Sequence, residues 1–423
     1  MRKLLLAAVL LISMEGFAQS PPETIHSDFV LYQRRVSFDK HMREQIIRAS
    51  FAQPLDSNTE EKYREACWAI SQFLLRSPEI QQGFRTLFTN YTTLELDTKR
   101  ALLEAVYGVY PNEYKNEIST LISNESSPKL FAMQASYLYR LDTSTTNSAY
   151  LLALLTKQFP VYAEYPVLEE LEKYLQIHRS FVTQSTPAIA SLFEYRKQSG
   201  QKTIYSFQRW NRDYPGLAII QNEDGSFAKD STGKLLVFQQ LARSASDLPY
   251  FLTNGSTPQG IYSIQGTGIS HQSLIGPTPN IQLVIPGEAD SVFWHSPYDS
   301  ARTPLENYLN LLPASWRGYA PMTESFYAGK VGRTEIIAHG TTIDPDYYKD
   351  KPFYPLTPTM GCLCARETWN IFTGTLMQSE QFNFSKAFLA TPGITGYLVV
   401  INLDNQQKMV EREEIEKLVA EFL

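Results

Sequence analysis

The hydrophobic period of this chain changes once, near Gly200, and that change narrows the folds open to it. Before Gly200, apolar residues recur at helical spacing; after it, they alternate as strands do. From 27 to 198 the text is helical throughout. Thr59–Ser77 is one amphipathic segment. Ser77-Pro78 and Ser127-Pro128 each read as a hydroxyl cap followed by proline in the first turn, where a missing N–H does no harm. Asp97 precedes TKRALLEAVYGVY, Pro111-Asn112 opens another segment, and Ser148–Phe159 and Pro166–Ile177 continue the pattern. A helix recurs about every 15 to 20 residues, so a pair spans roughly 35, the range of helical-repeat arrays.

Beyond residue 203 the units are short strands. Lys202–Trp210 alternates as a half-buried strand would, and Gly216–Gln221 and Lys234–Gln240 flank a turn at Asn222–Gly225. Ile281–Ile285, Ser291–His295 and Gly396–Leu403 read as further strands, and Met409–Phe422 as a charged amphipathic helix. Leu305–Leu312 with Trp316-Arg317 reads as an inserted helix and loop, a lid over a cleft. The expected fold class is α+β and multidomain. An all-α domain (27–198) precedes a mostly-β domain (203–405), and a C-terminal helix (406–423) closes the chain. ALLEAVYGV and LFAMQASYL are similar to HEAT-type repeats, although an antiparallel bundle gives much the same text. The helical region is either a concave surface for an envelope partner or glycan, or a scaffold for the mostly-β domain.

Arg2 and Lys3, then LLLAAVLLISM, then Gly16-Phe17-Ala18, form the pattern of a secretory signal peptide (1–18) cleaved after Ala18. Passage across the inner membrane to the periplasm or cell envelope is therefore expected. No later stretch reaches the length of about 18 apolar residues that a transmembrane segment needs. A formal net charge of −6 and the lack of a basic run argue against nucleic-acid binding.

An exported chain with only three cysteines is not a disulfide scaffold. Cys67 shares one helical face with Tyr63, Ile70 and Leu74, as a buried thiol would. Cys362 and Cys364 form a C-x-C pair that follows a polar loop from His339. Three chemistries suit this set. The first is a Cys362 nucleophile with His339 as proton acceptor. The second is a Cys362–Cys364 redox pair, and the third a zinc site with His339, which lacks a clear fourth ligand. Gly361 suits a close backbone approach to a substrate or a turn closed to other residues. His295 is a second histidine, read as an edge-strand residue with a further group for such a site as the alternative. His26, His41 and His178 lie outside any ligand-like spacing.

Two separated pieces of text bear on the choice. One is His339-Gly340-Thr341, a loop, then Thr359-Met360-Gly361-Cys362; the other is Thr257-Pro258-Gln259-Gly260-Ile261-Tyr262 upstream. Together, in this order, they resemble the L,D-transpeptidase catalytic domain, over roughly residues 203–405. The resemblance implies an exported cysteine acyltransferase that acts on peptidoglycan stem peptides through a Cys362 thioester and forms cross-links. It implies a substrate and oxyanion region around Gly361, Thr359, Gly340, Thr257, Gly260 and Tyr262, with no metal or organic cofactor. Met360 stands where the family usually has His, and Cys364 where it usually has Arg. The base role therefore falls on His339, and Arg366 is the substitute guanidinium. Lys330 and Arg333 are candidates for substrate carboxylates. An L,D-carboxypeptidase and a catalytically inactive wall-binding protein are the alternatives.

Overall fold

A computed structural model of the protein describes residues 22–183 and 185–422; the expected signal peptide lies outside them. The chain is mixed: an N-terminal helical region leads into a C-terminal region built on a sheet that is nearly barrel-shaped. Among the described residues no helix is long and apolar enough to cross a membrane.

The helices start where local chemistry supplies a cap. Ser77 and Ser127 accept the N–H groups of Ile80 and Leu130, each with proline next, and open Pro78–Thr89 and Pro128–Leu141. Glu60–Phe73 ends at Leu74, which takes the left-handed conformation at φ 50°. Cys67 is fully buried between neighbouring helices, as its position on the apolar face predicts.

Strands β1 (Thr203–Arg209), β2 (Gly216–Gln221), β3 (Phe238–Gln240), β4 (Gly260–Gly268) and β5 (Asn280–Val284) come first in the second region. β6 (Ala338–His339), β7 (Leu363–Cys364), β8 (Glu367–Trp369), β9 (Leu376–Ser379) and β10 (Gly396–Asp404) follow. Eight of them form one sheet in the order β3-β2-β1-β10-β4-β5-β6-β7. β1/β10 and β6/β7 are parallel; the other neighbours are antiparallel. The edges nearly meet, because Leu241, one residue past β3, exchanges backbone hydrogen bonds of 2.8 and 2.9 Å with Cys364. The seam leaves no free edge at β7 for another chain to pair with.

Several expectations are corrected by this arrangement. β1 is buried along its whole length rather than on one face. Tyr205 and Phe207 pack with Leu192, Phe193, Ile415 and Val419 on one side, and Ile204 joins Phe384 and Phe388 on the other. Its polar residues survive burial because each is paired: Ser206 with Gln240, and Arg209 with Asp404 and Glu414. The helix Ile189–Ser199 packs on this sheet.

Ser291–His295 is not a strand. Asp290–Phe293 forms a short helix that buries Phe293. The segment expected as a lid is core: Tyr308, Leu312 and Trp316 are fully buried, and Trp316 Nε1 donates to Ala188 O at 3.1 Å. Arg366–Leu376, which reads in the sequence as a helix after Cys362, is not helical either. Residues 367–379 form the β8/β9 hairpin, closed by Gly374 N–H to Asn370 O at 2.8 Å. Alternation of Glu367 and Trp369 toward the interior outweighs the helical period read there.

The long loop between β6 and Thr359 is explained by its partner. Ile343, Tyr348, Phe353 and Leu356 belong to the same core as the N-terminal helices. Tyr348 donates to Gln72 O at 2.7 Å, and Arg35 pairs with Asp344 at 3.3 Å.

Candidate active site

β6 and β7 run side by side, with Ala338 level with Leu363 and His339 level with Cys364. Leu363 N–H donates to Ile337 O and Ala365 N–H to His339 O. Side chains alternate along a strand, so the paired residues His339 and Cys364 share one face, with Ala338 and Leu363 on the other. Cys362 precedes His339's level by two residues, about 6.6 Å along a strand.

The backbone at Cys362 is set by a tight turn. Gly361 has φ +116°, and a Cβ there would lie 2.2 Å from Arg333 Nη2, so glycine is required on both counts. Thr359 Oγ1 accepts Gly361 N–H at 3.0 Å and donates to Cys362 O at 2.9 Å. Thr257 Oγ1 donates to Gly361 O at 2.9 Å from the other side. Of the amides expected to face an oxyanion, that of Gly361 is thus already engaged.

The Cys362 thiol is partly exposed and touches main chain. It accepts from Ile337 N–H at 3.4 Å and donates to Glu335 O at 3.5 Å. Burial of its surroundings pushes the thiol up to about 11, against the Ile337 hydrogen bond and the Arg333 charge, which pull it down. Glu335 and Glu288 push it further up. Burial lowers His339 to about 4. Its Nδ1 lies 2.5 Å from Gly340 O, and a carbonyl can only accept, so Nδ1 carries the proton. Nε2 is left with the lone pair. At rest the pair is a neutral thiol and a neutral imidazole, and no helix dipole supports a thiolate.

Arg333 is buried, and its guanidinium donates to the carbonyls of Tyr250, Gly255 and Ser256 at 2.5, 2.8 and 3.1 Å. It braces the loop before β4 against the Cys362 turn. Three of its five N–H donors are thereby given to main chain. Lys330 pairs with Glu169 at 3.1 Å. Arg366 is exposed, and its backbone carbonyl, rather than its side chain, is used, by Glu380 N–H. Met360 is also turned outward, at 42% exposure.

Gly260 and Tyr262 stand apart from the thiol. A Cβ on Gly260, at φ +121°, would meet Ser325, Tyr308 and Met322. Tyr262 donates to Pro258 O at 2.7 Å, which pins the turn that presents Thr257. His295 bonds Ser263 Oγ at 2.7 Å and packs on Tyr397, away from Cys362. Cys364 is buried at the seam, 3.6 Å from Thr357 Oγ1. All three cysteines are free thiols. Among the described residues no group of three or more His, Cys, Asp or Glu side chains is placed to hold a metal ion.

Two residues escaped the sequence reading. Glu288 takes Glu335 N–H at 2.8 Å with one oxygen and Ile285 N–H at 3.1 Å with the other. Glu367 is buried against Gly340, where a Cβ would lie 2.2 Å from its carboxyl carbon. It accepts from Thr341 N–H at 2.8 Å and Ser379 Oγ at 2.6 Å. An acidic residue in phase with Trp369 on a strand was the available signal for Glu367. Nothing local marks Glu288.

No protein-family model, curated protein or solved structure matches this chain.

Proposed function

We propose that this protein is an exported cysteine acyltransferase of the L,D-transpeptidase kind, acting on peptidoglycan stem peptides. The observation that carries the reading is the pairing of two adjacent strands. They bring the segment of a partly exposed thiol, just before β7, alongside the strand that carries an imidazole. In this scheme Cys362 turns from Glu335 O toward His339 as substrate enters, and Nε2 takes the thiol proton as sulfur attacks. The carbonyl attacked joins the diamino acid to the terminal D-Ala of a tetrapeptide stem. The bond to D-Ala breaks, its nitrogen takes the proton from His339, and a Cys362 thioester remains. An amine of a neighbouring stem then displaces the sulfur and forms a cross-link; water in its place makes the enzyme an L,D-carboxypeptidase.

One observation favours the alternative of a silent wall-binding protein: neither partner is charged at rest. Incubation with a disaccharide-tetrapeptide separates the readings. Mass spectrometry is expected to find released D-Ala, an adduct on Cys362, and dimers or trimmed tripeptides. Absence of both adduct and D-Ala with the wild-type protein sinks the acyl-transfer reading.

A further inference from the structure

We propose that a groove lined by Trp294 and Tyr298 binds a saccharide chain, by stacking sugar rings on aromatic side chains. The identity of the sugar, an N-acetylhexosamine glycan, rests on the peptidoglycan reading; the groove itself does not.

The groove has a volume of about 990 Å³ and is walled by Trp294, Tyr298, Phe326 and Tyr327. Tyr298 is 44% exposed, and its ring lies 5.0 Å from that of Trp294 at 58°, so the two make an angled shelf. Around this one hollow Tyr298 is exposed and Trp294, Phe326 and Tyr327 are half-buried. The polar groups at the rim include Asp290 and Ser291. A pyranose ring offers C–H groups on its faces and hydroxyls around its edge. Aromatic faces beside a carboxylate and a hydroxyl match both halves of that pattern. An anionic chain is a poor match. Among the lining residues Lys330 is the one cation, and it is paired with Glu169 at 3.1 Å.

One wall of the groove is tied to the thiol through main chain. Gly287 lines the groove, the next residue, Glu288, accepts Glu335 N–H at 2.8 Å, and Glu335 O meets Cys362 Sγ at 3.5 Å.

The test uses the full chain carrying Cys362→Ala, so that nothing turns over, with chitotetraose titrated by calorimetry. Saturable binding is expected, weakened at least about tenfold by Tyr298→Ser and by Trp294→Ala, a loss of roughly 1.4 kcal/mol. Tyr298 is exposed, and an unchanged melting temperature for Tyr298→Ser shows that the fold is kept. No saturable binding, or an affinity that Tyr298→Ser leaves unchanged, overturns the proposal. Acylation of Cys362 by stem peptide is read separately on the wild-type chain, so the two readings fail independently.

Discussion

Cys362 Sγ donates to the carbonyl of Glu335 across 3.5 Å, and Glu335 holds the left-handed conformation at φ +60°. For a residue with a side chain that conformation costs about 1–3 kcal/mol and persists only where neighbours enforce it. Glu288 enforces it here by accepting Glu335 N–H at 2.8 Å. The thiol proton is thus parked on main chain, away from His339, until something displaces it.

A parked proton has a pH signature. With the thiol pushed up to about 11, alkylation of Cys362 by iodoacetamide should rise with pH well past 9. Near pH 7 it should run roughly 100-fold slower than at an ordinary exposed cysteine, tenfold for each pH unit. Glu288→Gln removes a negative charge that holds the thiol up, so labelling at pH 8 should speed up a few-fold. An inflection near neutrality in the wild type would mean a Cys362–His339 ion pair instead.

Under the proposed acyl transfer, His339→Gln removes the base and should cut D-Ala release by about 10²- to 10⁴-fold. Cys364→Ala, at the buried seam, should leave release within about threefold of wild type while lowering stability by roughly 1 kcal/mol. Equal losses of activity in the two variants would point to the C-x-C pair acting together.

The two arginines make opposite predictions. Arg333→Met strands three main-chain carbonyls and should destabilise the fold by at least about 2 kcal/mol, seen as a lower urea midpoint at unchanged slope. Arg366→Ala, at an exposed position, should move that midpoint by no more than about 0.5 kcal/mol. A large effect on substrate KM from Arg366→Ala would restore it to the substrate site.

Burial pushes the Glu367 carboxyl up to about 7, against hydrogen bonds from Ser379 and Thr341 that pull it down. Between about 4.3, the unfolded value, and 7 the native state keeps a proton that the unfolded chain releases. This contribution is full below the unfolded value and is lost as pH rises through 7. Gln does not titrate. The melting temperature of Glu367→Gln relative to wild type should therefore climb across that window and level off above it. A difference constant with pH contradicts the buried, protonated carboxyl.

Tyr348→Phe deletes one buried hydrogen bond, to Gln72 O, and should cost about 1–3 kcal/mol in unfolding free energy. Proteolysis within 343–356 should become faster than elsewhere. If the loop stays equally protected, its docking on the helices does not depend on that bond.

Much of the secondary structure was legible because it is local. Ser77 and Ser127 cap helices through atoms three residues away, and β2, β5 and β10 lie where short apolar runs put them. Gly361 marked a turn that only glycine fits. Where reading failed, a distant partner had decided. Residues 366–376 carry a weak helical period, yet form a hairpin because Glu367 is drawn in against Gly340. Leu305–Leu312 reads as a lid, yet Tyr308 is bonded into the core through Ile261 N–H.

By itself the amino-acid order determined the change of period near Gly200 and the helix caps. These depend on contacts within a few residues. Tertiary structure alone decided that β7 meets Leu241 and buries Cys364, that Arg333 is spent on carbonyls, and that Glu335 takes the thiol proton. Each of those joins segments tens of residues apart. Periodicity reports which face of an element is apolar, but not which element covers it or where its polar groups find partners.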